Sequence, residues 1–322
     1  MDAPAIELDG QYRLLREEAG FVERPGPALI AIRGADAAEY LEGQLTNEIE
    51  ALAPGEGRYA ALLDRKAHIQ GDMRVLRRSA DEILLALEAA ARDAVVRHLD
   101  MYRIGREVEV EDLSADHGLV SVIGPAATAA LAIAPLGAEH AHREERIGEA
   151  SCLAVATDLG VDLLVGASAR EAILAALEAA GVEPVSEDAA EILRIESGRP
   201  RFGREMGPQA MPAEAGIVDR AVSFTKGCYM GQEPVARLHH RGRPNRHLRG
   251  LRLESPATAG ESVRLGDRAV GVIGTAVLSP VHGPIALAIL RREAEPGTTV
   301  TVGDGIAAEV VEPPFVAPAR GS

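Results

Sequence analysis

The sequence predicts an α+β fold with mostly antiparallel sheets, followed by a small β-barrel. Three observations carry this. Short strands outnumber helices along the first 180 residues, helices recur singly between groups of strands, and from about Gly250 helical periodicity gives way to short strands punctuated by Gly, Pro and Asp. With 322 residues, 47% apolar and 26% charged, the chain has the composition of a folded protein with a sizeable core and room for two or three domains.

Residues 27–33 form an apolar run ending at Gly34, after which Asp36 caps a helix carrying Ala37, Tyr40, Leu41 and Leu45. Strands are predicted at 58–63, 68–76 and 82–87, then an Ala-rich helix over 89–101. Strands at 107–112 and 119–123 lead to a short helix after Pro125. A similar set follows: strands at 153–156 and 161–165, and a helix over 169–180 stopped by Gly181. The terminal domain offers strands at 251–253, 262–265, 269–278, 284–290 and 298–302, and the Pro/Ala/Gly-rich tail from Pro313 reads as loose. The predicted boundaries are an α+β region over 1–246, made of two intertwined subdomains, and a barrel domain over 247–318.

Charge and composition exclude several function classes. Lys plus Arg total 34 against 49 Asp plus Glu, and the net charge of −15 repels nucleic-acid phosphates and anionic lipid surfaces. Aromatics are 3% with no Trp, too few for base-stacking platforms. No apolar run approaches the roughly 20 residues of a membrane helix, and the acidic start lacks a basic and apolar leader. The two cysteines, Cys152 and Cys228, lie far apart and in no CxxC pair, so the reading is a soluble, cytoplasmic chain without a disulfide framework or an all-cysteine zinc site.

Residues 199–246 show little periodicity but carry the densest chemistry, with Ile217, Val218, Val222, Phe224, Met230 and Val235 as anchors against disorder. Within it, Lys226-Gly227-Cys228-Tyr229-Met230-Gly231-Gln232-Glu233-Pro234 precedes a helix expected from Gly231 to Leu238. Pro234 suits its first turn, and Gln232 and Glu233 suit its positive end. Gly227 and Gly231 permit close backbone approach or positive φ. Cys228, ahead of that helix and two residues from Lys226, is a candidate reactive thiol; the alternative is an inert buried cysteine, the reading given to Cys152 in its apolar strand. Adjacent His239 and His240 point about 100° apart on a helix, so no metal site is assigned. The arginines around them bind either a polyanionic tail or solvent and neighbouring acids.

The whole K-G-C-Y-x-G-Q-E signature at 226–233 resembles that of YgfZ-type folate-binding proteins, members of the glycine-cleavage T-protein (aminomethyltransferase) superfamily associated with iron-sulfur cluster assembly or repair. Supporting matches are Gln44-Leu45-Thr46-Asn47, Arg58-Tyr59-Ala60-Ala61-Leu62-Leu63, Arg194-Ile195-Glu196-Ser197-Gly198-Arg199-Pro200 and Met211-Pro212-Ala213-Glu214-Ala215, over roughly residues 25–310. The resemblance implies three subdomains in a cloverleaf ring around tetrahydrofolate or a one-carbon derivative, the last a β-barrel. It places Glu196 on the pterin, Tyr59 as a flat wall, and Tyr229, Gln232 and Glu233 among the folate contacts. Cys228 becomes the working thiol with Lys226 activating it. The aminomethyltransferases carry an Asp-Asp pair where this chain has Gln70-Gly71-Asp72-Met73, leaving Asp72 as the candidate catalytic carboxylate.

Three functions are implied. The first is a tetrahydrofolate-binding protein serving iron-sulfur client proteins or assembly factors through Cys228. The second is a tetrahydrofolate-dependent aminomethyltransferase or demethylase using Asp72. The third is a non-catalytic scaffold.

Overall fold

The structure is a computed structural model that describes residues 7–24 and 26–315. The chain forms two compact units: Met1–Leu62, Gly71–Ala190 and Thr225–Met230 in the first, and Leu63–Gln70, Glu191–Phe224 and Gly231–Ser322 in the second. The terminal segment is thus joined in its unit by two pieces from earlier in the chain.

The first unit is built on two sheets. One runs in the order Glu183–Pro184, Gly20–Arg24, His117–Ile123, Gly160–Gly166, Ala150–Ala156, His142–Ile147, antiparallel except for its first pair. The other runs Gly57–Leu63, Ile69–Arg77, Glu82–Leu87, Ala28–Arg33, Glu109–Asp112. The two pack face to face because each presents an apolar side: Leu29, Leu76 and Leu84 of one meet Leu119, Leu153 and Leu164 of the other. Arg74 pairs with Asp162 across the same interface, and the Ser121 hydroxyl donates to that carboxylate. Burial alone would raise the Asp162 carboxyl, but Arg74 and Arg24 beside it hold it below the usual range. The far side of the first sheet is covered by the Arg170–Ala179 helix, whose Ile173 and Leu177, one turn apart, reach Val120, Val122, Cys152 and Leu163.

In the second unit the sheet order is Arg268–Val272, Ser262–Leu265, Thr299–Val302, Ile306–Val311, Arg246–Leu253, Gly283–Arg291, Thr275–Ser279. The sheet curls on itself: a Cβ on Gly271 would lie 2.6 Å from Leu290 Cδ2, across from a strand that is not its hydrogen-bonded neighbour. Val263, Val270, Leu251, Leu290 and Val302 fill the interior. On the other side, Leu248, Ile285 and Leu287 meet Ile195 and Phe315.

Several expectations need correction. The single strand read over 269–278 is two, Arg268–Val272 and Thr275–Ser279, because the chain turns at Gly274, where a Cβ would stand 2.9 Å from Glu205 Cα. The barrel's first strand begins at Arg246, and its last, Ile306–Val311, was not anticipated. Also unanticipated are the helices Leu8–Glu17 and Glu187–Glu196 and the edge strand His142–Ile147, whose HREERI sequence buries only its end residues His142 and Ile147. The tail is not loose at its start, since Phe315 is buried and its N–H donates to the Glu196 carbonyl at 2.8 Å; from residue 316 that expectation lies outside the described residues. Among the anchors of 199–246, Ile217, Val222 and Val235 are buried, whereas Phe224 is exposed and stacks on His239 at 4.0 Å. Among the described residues no helix is long and apolar enough to cross a membrane.

Candidate functional site

In the first unit, the four-residue run Gln44 to Asn47 leaves the Ala37–Gln44 helix and is stitched to the Gly57–Leu63 strand. Thr46 Oγ1 accepts from Ala61 N at 2.9 Å, Thr46 N donates to the Ala61 carbonyl, and Asn47 Nδ2 donates to the Tyr59 carbonyl at 2.9 Å. A buried Thr and Asn are tolerated there because their polar atoms are satisfied by backbone. This stitching turns the carbonyls of Glu42, Leu45 and Asn47 toward one point, and the Lys226 ammonium occupies it, donating to all three at 2.7, 2.8 and 2.7 Å.

The Lys226 side chain is fully buried, with Glu42 Oε1 at 3.3 Å and the Tyr229 ring centroid at 5.4 Å. Burial lowers its pKa against the opposing pull of Glu42. Glu48 adds a second tie, accepting from Thr225 Oγ1 at 2.9 Å and pairing with Arg58 at 3.4 Å. These three hydrogen bonds make Lys226 a clamp that fixes the Thr225–Met230 segment. Tyr229 is buried beside it, its hydroxyl pushed up to about 12 by burial. Cys228 is exposed, while Cys152 sits in the core with its thiol raised to about 12 by burial.

Tyr59 and Asp72 lie on neighbouring strands of one sheet, and the Tyr59 hydroxyl donates to Asp72 Oδ2 at 2.7 Å. The position before Asp72 faces the other way: a Cβ on Gly71 would stand 2.8 Å from Val95 and 2.9 Å from Ala91 under the Arg92–Tyr102 helix. Packing therefore excludes a larger side chain at residue 71, and Asp72 is the single acid of this stretch.

In the second unit, Glu196 is 1% exposed and accepts from Ser279 Oγ at 2.6 Å; that oxygen in turn accepts from Val281 N and His282 N. Gly198 follows at φ +71°, where a Cβ would lie 2.6 Å from Pro313 Cβ, so this motif requires glycine. Two positions before Glu196, the Arg194 guanidinium donates to Glu191, Glu205, Thr275 and the Arg199 carbonyl. Burial would lower its pKa, but Glu205 and Glu191 raise it above the ordinary arginine value. Glu214 of the Met211–Ala215 motif holds Arg246 bidentately at 3.0 and 2.8 Å, tying this loop to the barrel's first strand. The helix expected near Gly231 runs Gln232–Arg241, with Gly231 at φ +82° as its N-cap and Glu233 and Pro234 in its first turn. A Cβ on Gly231 would come within 2.5 Å of the Asp64 carbonyl oxygen.

A family model described as "GCVT N-terminal domain" matches residues 8–226, and one described as "Glycine cleavage T-protein C-terminal barrel domain" matches 246–317. The chain belongs to the glycine cleavage T-protein family. It is 30% identical to an aminomethyltransferase of Mycolicibacterium paratuberculosis over 315 residues, covering 92% of this chain and 84% of that protein. It is 29% identical to the Saccharopolyspora erythraea aminomethyltransferase over 328 residues, covering 95% and 89%. Aminomethyltransferase T of the Bartonella henselae glycine cleavage system superposes with a TM-score of 0.85 at 24% identity, covering 96% and 89%. The fold is the aminomethyltransferase fold, α+β with a C-terminal curled barrel sheet.

Within this T-protein family member, the sequence motifs sort by unit. Tyr59, Asp72, Lys226, Cys228 and Tyr229 belong to the first, and Glu196, Gln232 and Glu233 to the second. The sequence reading missed Glu42, Glu48 and Ser279. Glu42 lies two residues ahead of a recognised motif, but nothing in the sequence marks its carbonyl as a ligand for a lysine 184 positions away. Ser279 carries no local signal, because its partner is 83 positions distant.

Proposed function

We propose that this chain is a tetrahydrofolate-dependent one-carbon transferase of the aminomethyltransferase type. The observation that carries the reading is the Tyr59–Asp72 hydrogen bond on adjacent strands, which orients one carboxylate in the stretch that resembles the aminomethyltransferases' Asp-Asp segment. The donor and acceptor chemistry suits a reduced pterin. Glu196 offers a buried carboxylate with one oxygen already oriented by Ser279, the arrangement that receives N–H groups from a heterocycle edge. Tetrahydrofolate, when bound, supplies the amine nitrogen that accepts the one-carbon unit.

Tyr59 fixes the rotamer of Asp72 by donating to Oδ2. A carboxylate so held stabilises positive charge developing on a nitrogen-bound carbon without reorganising during the step, and it can take the proton released. The Lys226 clamp acts at a distance, by holding the segment that carries Tyr229 and Cys228.

The test is formation of methylene-tetrahydrofolate from an aminomethyl-charged carrier, with ammonia as the leaving group. Asp72→Asn should reduce turnover by about 100-fold, within the range for a general acid–base group, with tetrahydrofolate still bound, while Cys228→Ser keeps it. Turnover that survives Asp72→Asn would overturn the reading.

A second reading is favoured by one observation: Cys228 is exposed on a clamped segment whose K-G-C-Y-x-G-Q-E signature resembles the YgfZ type. In that reading the thiol serves iron-sulfur client proteins or assembly factors, with tetrahydrofolate as an auxiliary. A cluster commonly takes four ligands, so one cysteine would act transiently with a partner. Loss of iron-sulfur enzyme activity in cells carrying Cys228→Ser, with one-carbon turnover intact, would select it.

A further inference from the structure

Against a net charge of −15, the second unit contains a cleft lined by cations that form no ion pair among the described residues. It measures about 670 Å³ and is bounded on one side by the turn at Arg65 and Lys66 and on the other by Arg237 and Arg241 of the Gln232–Arg241 helix, with Met211 and Leu238 as apolar floor. All four cationic residues are exposed, and none forms an ion pair among the described residues. The turn itself is held rigid: Asp64 Oδ1 accepts from Lys66 N and His68 N at 2.8 Å each, and Gly231 packs against the Asp64 carbonyl. Two fixed elements therefore present like charges toward one space. That arrangement is electrostatically unfavourable in the free protein and is relieved by an anionic occupant.

We propose that this cleft docks an extended acidic segment of a partner protein, with carboxylates at alternate positions. The spacing supports a strand-like peptide. Arg237 and Arg241 are one helical turn apart, a rise of about 6 Å, and same-side residues of an extended chain repeat every 6.6–7 Å or so. Exposure supports several charges in series rather than one small anion. A single solvent-exposed ion pair holds little, so binding here depends on summing pairs along one ligand. The aliphatic stems of alternating glutamates would lie on Leu238 and Met211 while their carboxylates reach the cations on either side.

The probe is a fluorescein-labelled alternating Glu-Ser octapeptide titrated onto the full chain by anisotropy, beside its Gln-Ser counterpart. The acidic peptide should bind at least about tenfold more tightly than the neutral one and weaken as salt is raised, as charge-steered contacts do. R237E/R241E should weaken it by about tenfold or more, and R65E/K66E, on the other element, should do the same, so that each pair checks the other if one variant folds poorly. Failure of the acidic peptide to bind, or binding that both variants leave unchanged, would overturn the proposal. So would tighter binding of a short DNA duplex, or displacement of the peptide by citrate, inorganic triphosphate or pentaglutamyl tetrahydrofolate at matched charge, which would reassign the cleft to small anions or a folate tail.

Discussion

Replacing Lys226 with Met should be among the most damaging single substitutions in this protein. The side chain is fully buried and its ammonium donates to three carbonyls at 2.7–2.8 Å. Methionine keeps the volume and removes the donors. Each buried carbonyl left unsatisfied costs roughly 1–3 kcal/mol, or about 3–9 kcal/mol for three. Relief of the buried charge, evident in the lowered lysine pKa, and water entering along the exposed Cys228 side offset part of this, leaving about 3–5 kcal/mol as for other broken buried charge sites. The chain has no Trp, so thermal unfolding followed by far-UV circular dichroism is the direct assay. A loss of that size in a unit of this length lowers Tm by roughly 10 °C. A decrease of less than about 2 °C would refute the clamp, since the three carbonyls would then have satisfaction independent of the lysine.

Asp162→Ala strands Arg74 in the interface between the two sheets of the first unit and should cost about 3 kcal/mol, read from urea midpoints. Because the folded-state carboxyl of Asp162 lies below its unfolded value, its contribution is fully present above about pH 4 and drains away as pH falls through the lower folded value; wild type should therefore lose more Tm than Asp162→Asn between pH 5 and 3. Gly231→Ala combines a left-handed φ of +82° with an approach of 2.5 Å to the Asp64 carbonyl, so the melting point should drop by more than the roughly 1 kcal/mol of φ strain alone predicts. Iodoacetamide followed by peptide mass mapping should label Cys228 in the native protein and Cys152 only in denaturant, as their exposure requires.

The fold class was legible because hydrophobic periodicity reports which side of an element is buried. The Arg170–Ala179 helix and the strands at Glu82–Leu87 and Gly160–Gly166 have continuous or regularly spaced apolar residues and fall where expected. The edge strand His142–Ile147 and the helix Leu8–Glu17 escaped for the complementary reason: each buries few side chains, so charge dominates its pattern. The split at Gly274 was not read, because the backbone packed against it, at Glu205, lies some seventy positions earlier.

The site divides along the same line. Local chemistry, namely the Gly231–Pro234 helix start and the apolar strand around Cys152, can be read from neighbouring residues because caps and burial act within a few positions. The clamp made by Lys226 could not be, because the three carbonyls that receive its ammonium lie 179–184 residues away. One acid of the aminomethyltransferase pair is absent from the Gln70–Met73 stretch, and at Gly71 the Arg92–Tyr102 helix supplies the steric reason for a glycine. Sequence therefore established the elements, the family motifs and the residue types able to do chemistry, all governed by short-range conformational preference. Which partner each buried polar group would find was settled by long-range packing, since burial forces every such group to pair with whatever the fold brings beside it.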